Sequence, residues 1–282
     1  MASNTSVPTS VSTSASAGVS TSASGAALVT GAGKRLGRAM ALHLGANGFD
    51  VAVHYSRSGA EAAEVVALIQ SLGQTAVALQ ADLLDEAQTL PLVARAAAGL
   101  GGPLGLLVNN ASIFEYDTLH SATRTSWDRH MQSNLRAPFL LMQQFAAQVA
   151  PLLPDPGAEP VAAGLVVNMI DQRVRKLTPE FMTYTLSKMG LWALTQTAAQ
   201  ALAPLIRVNA IGPGPTLQGA RQSAAHFAAQ RAATILERGA DSADVTAALS
   251  YLVGAASVTG QLICVDGGQH LGWKTPDILG VE

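Results

Sequence analysis

Thr30-Gly31-Ala32-Gly33-Lys34-Arg35-Leu36-Gly37 closes an apolar run that begins at Ala26 and opens a stretch of helical periodicity over residues 35–47. Glycines between a strand and a helix let the backbone turn tightly and approach a pyrophosphate, whose charge is held by free N–H groups and the positive end of the helix. The spacing departs from Gly-x-Gly-x-x-Gly, because three residues separate Gly33 from Gly37. Taken alone, the loop is a weak signal, and a tight turn without a ligand is its alternative reading.

The pattern around it decides the fold. Apolar runs at 26–30, 51–55, 75–80, 104–109, 165–170, 207–211 and 261–265 read as strands, with helical stretches such as 35–47, 60–72 and 87–100 between them. Strand-helix-strand repetition with uninterrupted apolar strands predicts an α/β fold: one doubly wound, seven-stranded parallel sheet covered on both faces. Ligands in that architecture sit beyond the carboxyl ends of the strands, so the residues after each run are read first for function.

The composition narrows the partners. Of 282 residues 49% are hydrophobic and 13% charged, enough apolar material for one large core, and a net charge of −2 gives no electrostatic reason to expect nucleic acid or an anionic membrane. No stretch reaches the ~18 uninterrupted apolar residues of a membrane span. A lone cysteine, Cys264, excludes an internal disulfide and fits a cytoplasmic location. Residues 1–24 form a Ser/Thr/Ala-rich tail without a charged side chain and are expected to be disordered, ahead of a single domain over 25–282. The histidines and tryptophans outside the motifs, among them His120, His226, Trp127, Trp192 and Trp273, show no metal-ligand spacing. No function is assigned to the Pro/Gly/acidic segment 151–160.

Lys34 and Arg35 place cations inside the glycine loop, and the second strand ends in His54-Tyr55-Ser56-Arg57-Ser58. An NAD site would carry an acid at that tip for the ribose hydroxyls, and Asp50 comes too early to serve. Arginine and serine there suit a 2′-phosphate instead, which points to NADPH, against the alternative of solvated surface cations. Asp82-Leu83 and Asn109-Asn110-Ala111-Ser112 continue the polar rim after strands three and four. Tyr184 and Lys188, four apart in a helical stretch, share a face, and a phenol beside an ammonium is expected to have a lowered pKa. By itself such a pair is ordinary helix decoration.

Together these motifs resemble the short-chain dehydrogenase/reductase family, through Thr30-Gly31-x-x-x-Arg35-Leu36-Gly37, Asn109-Asn110-Ala111, Asn134, Tyr184-x-x-x-Lys188 and Asn209-x-x-x-Pro213-Gly214. The resemblance covers about residues 26–268 and implies a Rossmann-type domain and, by family habit, a homo-oligomer, a tetramer. It implies that Tyr184 donates the proton, that Lys188 lowers its pKa and holds the nicotinamide ribose, that Asn134 positions a water relay, and that Pro213 and Gly214 border the nicotinamide.

One position departs from the common pattern. Most members carry a carbonyl-polarising serine thirteen residues before the tyrosine, where this chain has Asp171. An ionised carboxylate donates no hydrogen bond, so it polarises a carbonyl poorly, but it can join a proton relay or accept an N–H of a heterocycle. With Arg35, Ser112 and Phe114, Asp171 makes the chain similar to the pteridine reductase branch, where residues at these positions and at Tyr184 and Lys188 line the pterin site. The stretch from His54 to Ser58 resembles that branch's phosphate-binding segment, and Asp266-Gly267-Gly268-x-His270-Leu271 resembles bacterial dihydromonapterin reductases. The expected function is NADPH-dependent reduction of a dihydropterin or dihydrofolate, with no metal. Bland readings stay open: Phe114 as packing, Ser112 as a turn cap, Asp171 as an ion-pair partner of Arg173 or Arg175. So do a ketone or alcohol oxidoreductase on the same scaffold and a non-catalytic NADP(H)-sensing protein.

Overall fold

The computed structural model describes residues 25–149, 159–219 and 222–273. The tail 1–24 and most of the segment 151–160 lie outside the described residues.

In chain order the elements are β1 (Ala26–Val29), α1 (Arg35–Ala46), β2 (Asp50–Tyr55), α2 (Gly59–Ser71), β3 (Ala76–Gln80), α3 (Glu86–Thr89), α4 (Leu92–Leu100), β4 (Leu106–Asn109) and α5 (Arg124–Met131). After a π-helical turn at Gln132–Arg136 come α6 (Ala137–Gln148), β5 (Gly164–Met169), a 3-10 turn at Gln172–Val174, α7 (Met182–Leu202), β6 (Ile206–Pro213), α8 (Ala224–Ala232), α9 (Ser242–Gly254) and β7 (Leu262–Val265). The seven strands pair in parallel in the order β3-β2-β1-β4-β5-β6-β7. The order reverses between β1 and β4, the point where doubly wound sheets bind ligands.

Alternation along the strands divides the core. Ala27, Val29, Val51, Val53 and Val108 meet Met40 and Leu44 of α1, Ile69 of α2 and Leu249 of α9 on one face. Leu28, Ala52, Leu107, Val166 and Val208 meet Leu92 of α4, Phe145 of α6 and Ala199 of α7 on the other. Both strand faces are buried, as a parallel sheet between helical layers requires. One cation is built into this core: Arg207 of β6 donates from Nη1 to the carbonyls of Leu252 (2.8 Å) and Ala255 (2.9 Å), satisfying the orphan end of α9 with a positive charge at its negative pole.

Each of the seven expected strands is present, with ends shifted by a few residues. The single helix expected over 87–100 is instead two, α3 and α4, divided at Pro91, which has no N–H to continue the ladder.

Candidate active site

The β1–α1 loop is held by main chain and by buried side chains behind it. Gly31 takes φ +64°, and a Cβ on Gly37 would lie 2.2 Å from the Gly31 carbonyl oxygen and 2.5 Å from Asn110 Nδ2. Thr30 Oγ1 accepts from the amides of Asn110 and Ala111, each at 2.9 Å, and Asn110 Nδ2 donates to Thr30 O at 2.7 Å. The loop after β4 is thereby tied to the loop after β1.

His54 acts from behind. Its Nδ1 accepts from the Gly31 amide at 3.0 Å, so Nε2 carries the hydrogen and donates to Ala81 O at 3.1 Å. Burial drives its pKa down to about 4, which keeps the ring neutral as this geometry needs. Sequence reasoning expected a direct cofactor ligand. With both ring nitrogens committed, His54 positions the loop while its ring lines the cleft.

A cleft of about 220 Å³ opens at the sheet's carboxyl edge, lined by Gly31, His54, Ser56, Arg57, Asp82, Leu83, Ala111, Ser112 and neighbouring residues. It brings together predicted residues from each of strands one to four. Ser58 borders Gly33 closely, since a Cβ there would lie 2.7 Å from Ser58 Oγ, and Tyr55 packs partly buried against the core. Asp82 caps its own turn by accepting from Leu84 N at 3.0 Å. Arg57 is exposed and has no acidic partner among the described residues. Asn109 is buried with Nδ2 donating to Asn168 Oδ1 at 2.9 Å, and its own Oδ1 has no partner among the described residues. A glycine turn with no room for a Cβ at Gly37 and a cationic tip fit an anionic dinucleotide.

Two predicted cations point elsewhere. Lys34, exposed, pairs with the half-buried Glu61 at 2.6 Å. Arg35, at φ 54° and the N-terminal residue of α1, spans to the loop after β6 and donates to Leu217 O (3.0 Å) and Gln218 O (2.9 Å). It therefore ties that loop to the glycine turn. Leu36 packs partly buried against the core. Pro213 ends β6 beside Val265, and Gly214 lies so near Asp266 that a Cβ would be 2.5 Å from Asp266 Cβ.

The second half of the site lies beyond β5 and on α7. Asp171 follows β5 and accepts from Arg173 N through Oδ1 at 2.8 Å and from the Tyr184 hydroxyl through Oδ2 at 2.9 Å. It makes no ion pair with Arg173 or Arg175 among the described residues. Burial raises the Asp171 pKa above the usual carboxylate range. The expected lowering of the Tyr184 pKa is reversed: burial, then the charge of Asp171, push the phenol well above its ordinary value. Lys188 donates to Met169 O at 2.8 Å, sits 5.7 Å from the centroid of the Tyr184 ring, and is itself driven down to about 8 by burial.

Asn134 sits in the π-helical turn, where the interrupted α-helical ladder re-aims its side chain. Its amide exchanges hydrogen bonds with Ile113, N–H to Oδ1 at 2.8 Å and Nδ2 to O at 2.9 Å, and also donates to Ser187 Oγ at 3.1 Å. Asn134 thus fixes the segment between Ser112 and Phe114. Phe114 stacks on Phe181 with ring centroids 4.4 Å apart and meets Tyr184 edge-on at 4.6 Å.

Several contributors were missed by sequence reasoning. Asp117 accepts from the Thr183 amide at 3.1 Å and from its hydroxyl, whose oxygen also meets His130 Nδ1 at 2.7 Å, while His130 Nε2 accepts from Glu115 N at 3.1 Å. This buried chain fixes the Phe114 segment to the start of α7. Phe181, three residues before Tyr184 and at φ 55°, carries the aromatic stack. The Phe-x-x-Tyr spacing was its one sequence signal.

A larger groove of about 890 Å³ lies over α5, α6 and α7, lined by Leu135, Phe139 and Leu194 among others, and it contains neither Asp171 nor Tyr184. Among the described residues no helix is long and apolar enough to cross a membrane, and no cluster of metal-ligating side chains occurs.

Comparison with known proteins agrees with this geometry. A family model, short chain dehydrogenase, matches residues 25–228. A short-chain dehydrogenase/reductase of Armillaria gallica is 32% identical over 255 residues, covering 86% of this chain and 94% of the relative. Among solved structures, FolM alternative dihydrofolate reductase 1 from Brucella canis, complexed with NADP, is 43% identical with a TM-score of 0.82, covering 90% of this chain and 96% of that one. The landomycin C-6 ketoreductase LanV, with bound NADP and rabelomycin, is 30% identical with a TM-score of 0.76, covering 88% and 96%. The chain belongs to the short-chain dehydrogenase/reductase family and, within it, to the pteridine-reductase-like branch.

Proposed function

We propose that this protein is an NADPH-dependent reductase of a dihydropterin or dihydrofolate. The observation that carries the reading is the 2.9 Å hydrogen bond from the Tyr184 hydroxyl to Asp171, where a carbonyl reductase would hold a donor hydroxyl. Support for the cofactor comes from the glycine cradle, the unpaired Arg57 and the NADP complexes among the structural neighbours. Support for the substrate comes from Asp171 and from the greater likeness to a dihydrofolate reductase than to a ketoreductase.

NADPH, when bound, supplies a hydride to the carbon of a C=N bond, and the nitrogen then takes a proton. Tyr184 is the donor of that proton. Asp171, an acceptor from the Tyr184 hydroxyl whose carboxyl titrates at higher pH than an ordinary aspartate, takes up a proton from solvent and passes it to the phenolate left on Tyr184, restoring the donor. The Lys188 ammonium, on the same face of α7, stabilises the negative charge that develops on Tyr184. Phe114 offers a ring for a flat heterocycle to stack on, and Asn134 keeps it in place through Ile113.

The test is NADPH oxidation across dihydropterins, dihydrofolate, ketones and a no-substrate control. Turnover confined to the pterin and folate arm is expected. Turnover confined to ketones would transfer the site to carbonyl reduction.

A further inference from the structure

Arg173 is placed differently from Arg207, another cation that enters the interior. Arg207 gives its two terminal guanidinium nitrogens, Nη1 and Nη2, to the carbonyls at the end of α9, and its Nε is likewise buried without a partner among the described residues, but Arg207 lies in the core, away from the site. Arg173 lies in the wall of the site: its main-chain amide holds Asp171, its guanidinium lies over the Phe181 ring at 5.1 Å from the centroid, and Nη1 donates to Thr178 Oγ1. Its Nε is buried and has no partner among the described residues. A buried charged donor left unpaired is costly, and a bound acceptor removes that cost.

The neighbouring charge adds to this. The 3-10 turn continues past Gln172–Val174, with Lys176 N donating to Arg173 O at 3.0 Å, and in that geometry residues i and i+3 fall on the same side. Lys176 is exposed, its ammonium 3.4 Å from Gly272 O, and neither cation has an acidic partner among the described residues, although Glu180 lies in the same loop. Two cations on one side of a turn, neither in an ion pair among the described residues and only Arg173 near enough to feel the charge of Asp171, are suited to a carboxylate.

We propose that Arg173 and Lys176 form a carboxylate-recognising subsite, so that the substrate is a dihydropterin with an anionic tail, of the dihydrofolate type, rather than one with a neutral side chain. The inference rests on the pterin reading above. Arg173 sets the orientation of the tail, with its flat guanidinium supported on Phe181, and Lys176 adds charge at the mouth.

The test compares kcat/KM for dihydrofolate and for dihydrobiopterin, whose side chain is neutral, in the wild type, Arg173→Gln and Lys176→Gln. Removing the Arg173 charge also alters Asp171 and Tyr184, but that effect is common to both substrates, so the ratio of the two values is the readout. The ratio is expected to favour dihydrofolate in the wild type and to fall about tenfold or more in Arg173→Gln and by a smaller factor in Lys176→Gln, mainly through KM. Wild-type turnover of both substrates with an unchanged ratio in Arg173→Gln would overturn the subsite and leave the pterin reading standing. Turnover of neither by the wild type would overturn both.

Discussion

Between Gly31 and Gly37 the site is shaped by the absence of side chains, and the hydrogen bonds that matter run to amides and carbonyls. Between Asp171 and Tyr184 the reverse holds: carboxylate, phenol, guanidinium and stacked rings meet side chain to side chain. On the proposed reading, the first half meets what every dinucleotide shares. The second holds groups that differ between one substrate and another. Changes to the first half should therefore register in cofactor affinity and stability, and changes to the second in turnover and substrate choice.

The sharpest way to break the contrast is to add one methyl group to the cofactor half. Gly37→Ala drives a Cβ into the Gly31 carbonyl and Asn110, and overpacking of this kind costs up to about 3 kcal/mol, so the NADPH Kd should rise about 100-fold. An unchanged Kd by fluorescence titration would show that the loop yields freely.

His54 gives a pH-dependent version of the same test. Its folded pKa of about 4 lies below the ordinary value of 6.5, so the folded protein resists protonation that the unfolded chain accepts. The contribution is fully present above pH 6.5 and is lost as pH falls toward 4, with a ceiling of about 3 kcal/mol. Chemical denaturation between pH 7 and pH 4.5 should show this loss in the wild type and a smaller one in His54→Asn. Parallel slopes would remove His54 from the acid response.

These two residues also show how far the sequence could be read. The glycine loop, the strands and the Tyr184/Lys188 pair were legible because each rests on local spacing and on backbone geometry that sequence dictates. His54 was legible as a residue at the tip of β2, but its bonds to Gly31 and Ala81 were not, since which way a strand-end side chain points depends on that pairing. Tyr184 was misjudged for a related reason: the i, i+4 spacing shows the nearby ammonium but neither the burial nor the hydrogen bond to Asp171 that outweighs it. The π-helical turn carrying Asn134, and the Asp117-Thr183-His130 chain, join segments up to 66 residues apart and left no periodic trace.

Arg57→Asp should raise the NADPH Kd about tenfold or more, the worth of about 1.4 kcal/mol for a charge-assisted contact, with less effect on NADH. Equal effects on the two cofactors would separate Arg57 from the 2′-phosphate. The smallest expected change is one of stability in the other half. Lys188 is lowered from 10.5 to about 8, so burial of its charge weighs on the fold below pH 8, and wild-type stability should rise from pH 8 toward 10.5. Without cofactor at pH 7, Lys188→Met should raise the Tm by about 3 °C while turnover collapses. A lower Tm would mean that the bond to Met169 O outweighs desolvation.

The central claim is that Asp171 belongs to the proton path of a pterin reductase, and a pair of variants at that residue tests it most directly. Asp171→Ala should lower kcat for a dihydropterin about 10²-fold, the scale of general acid-base assistance. Its NADPH Kd should change by less than about threefold, under 1 kcal/mol. Asp171→Ser restores a donor hydroxyl suited to carbonyls and should fail to recover dihydropterin reduction. Full dihydropterin turnover in Asp171→Ala, or recovery in Asp171→Ser, would contradict the account.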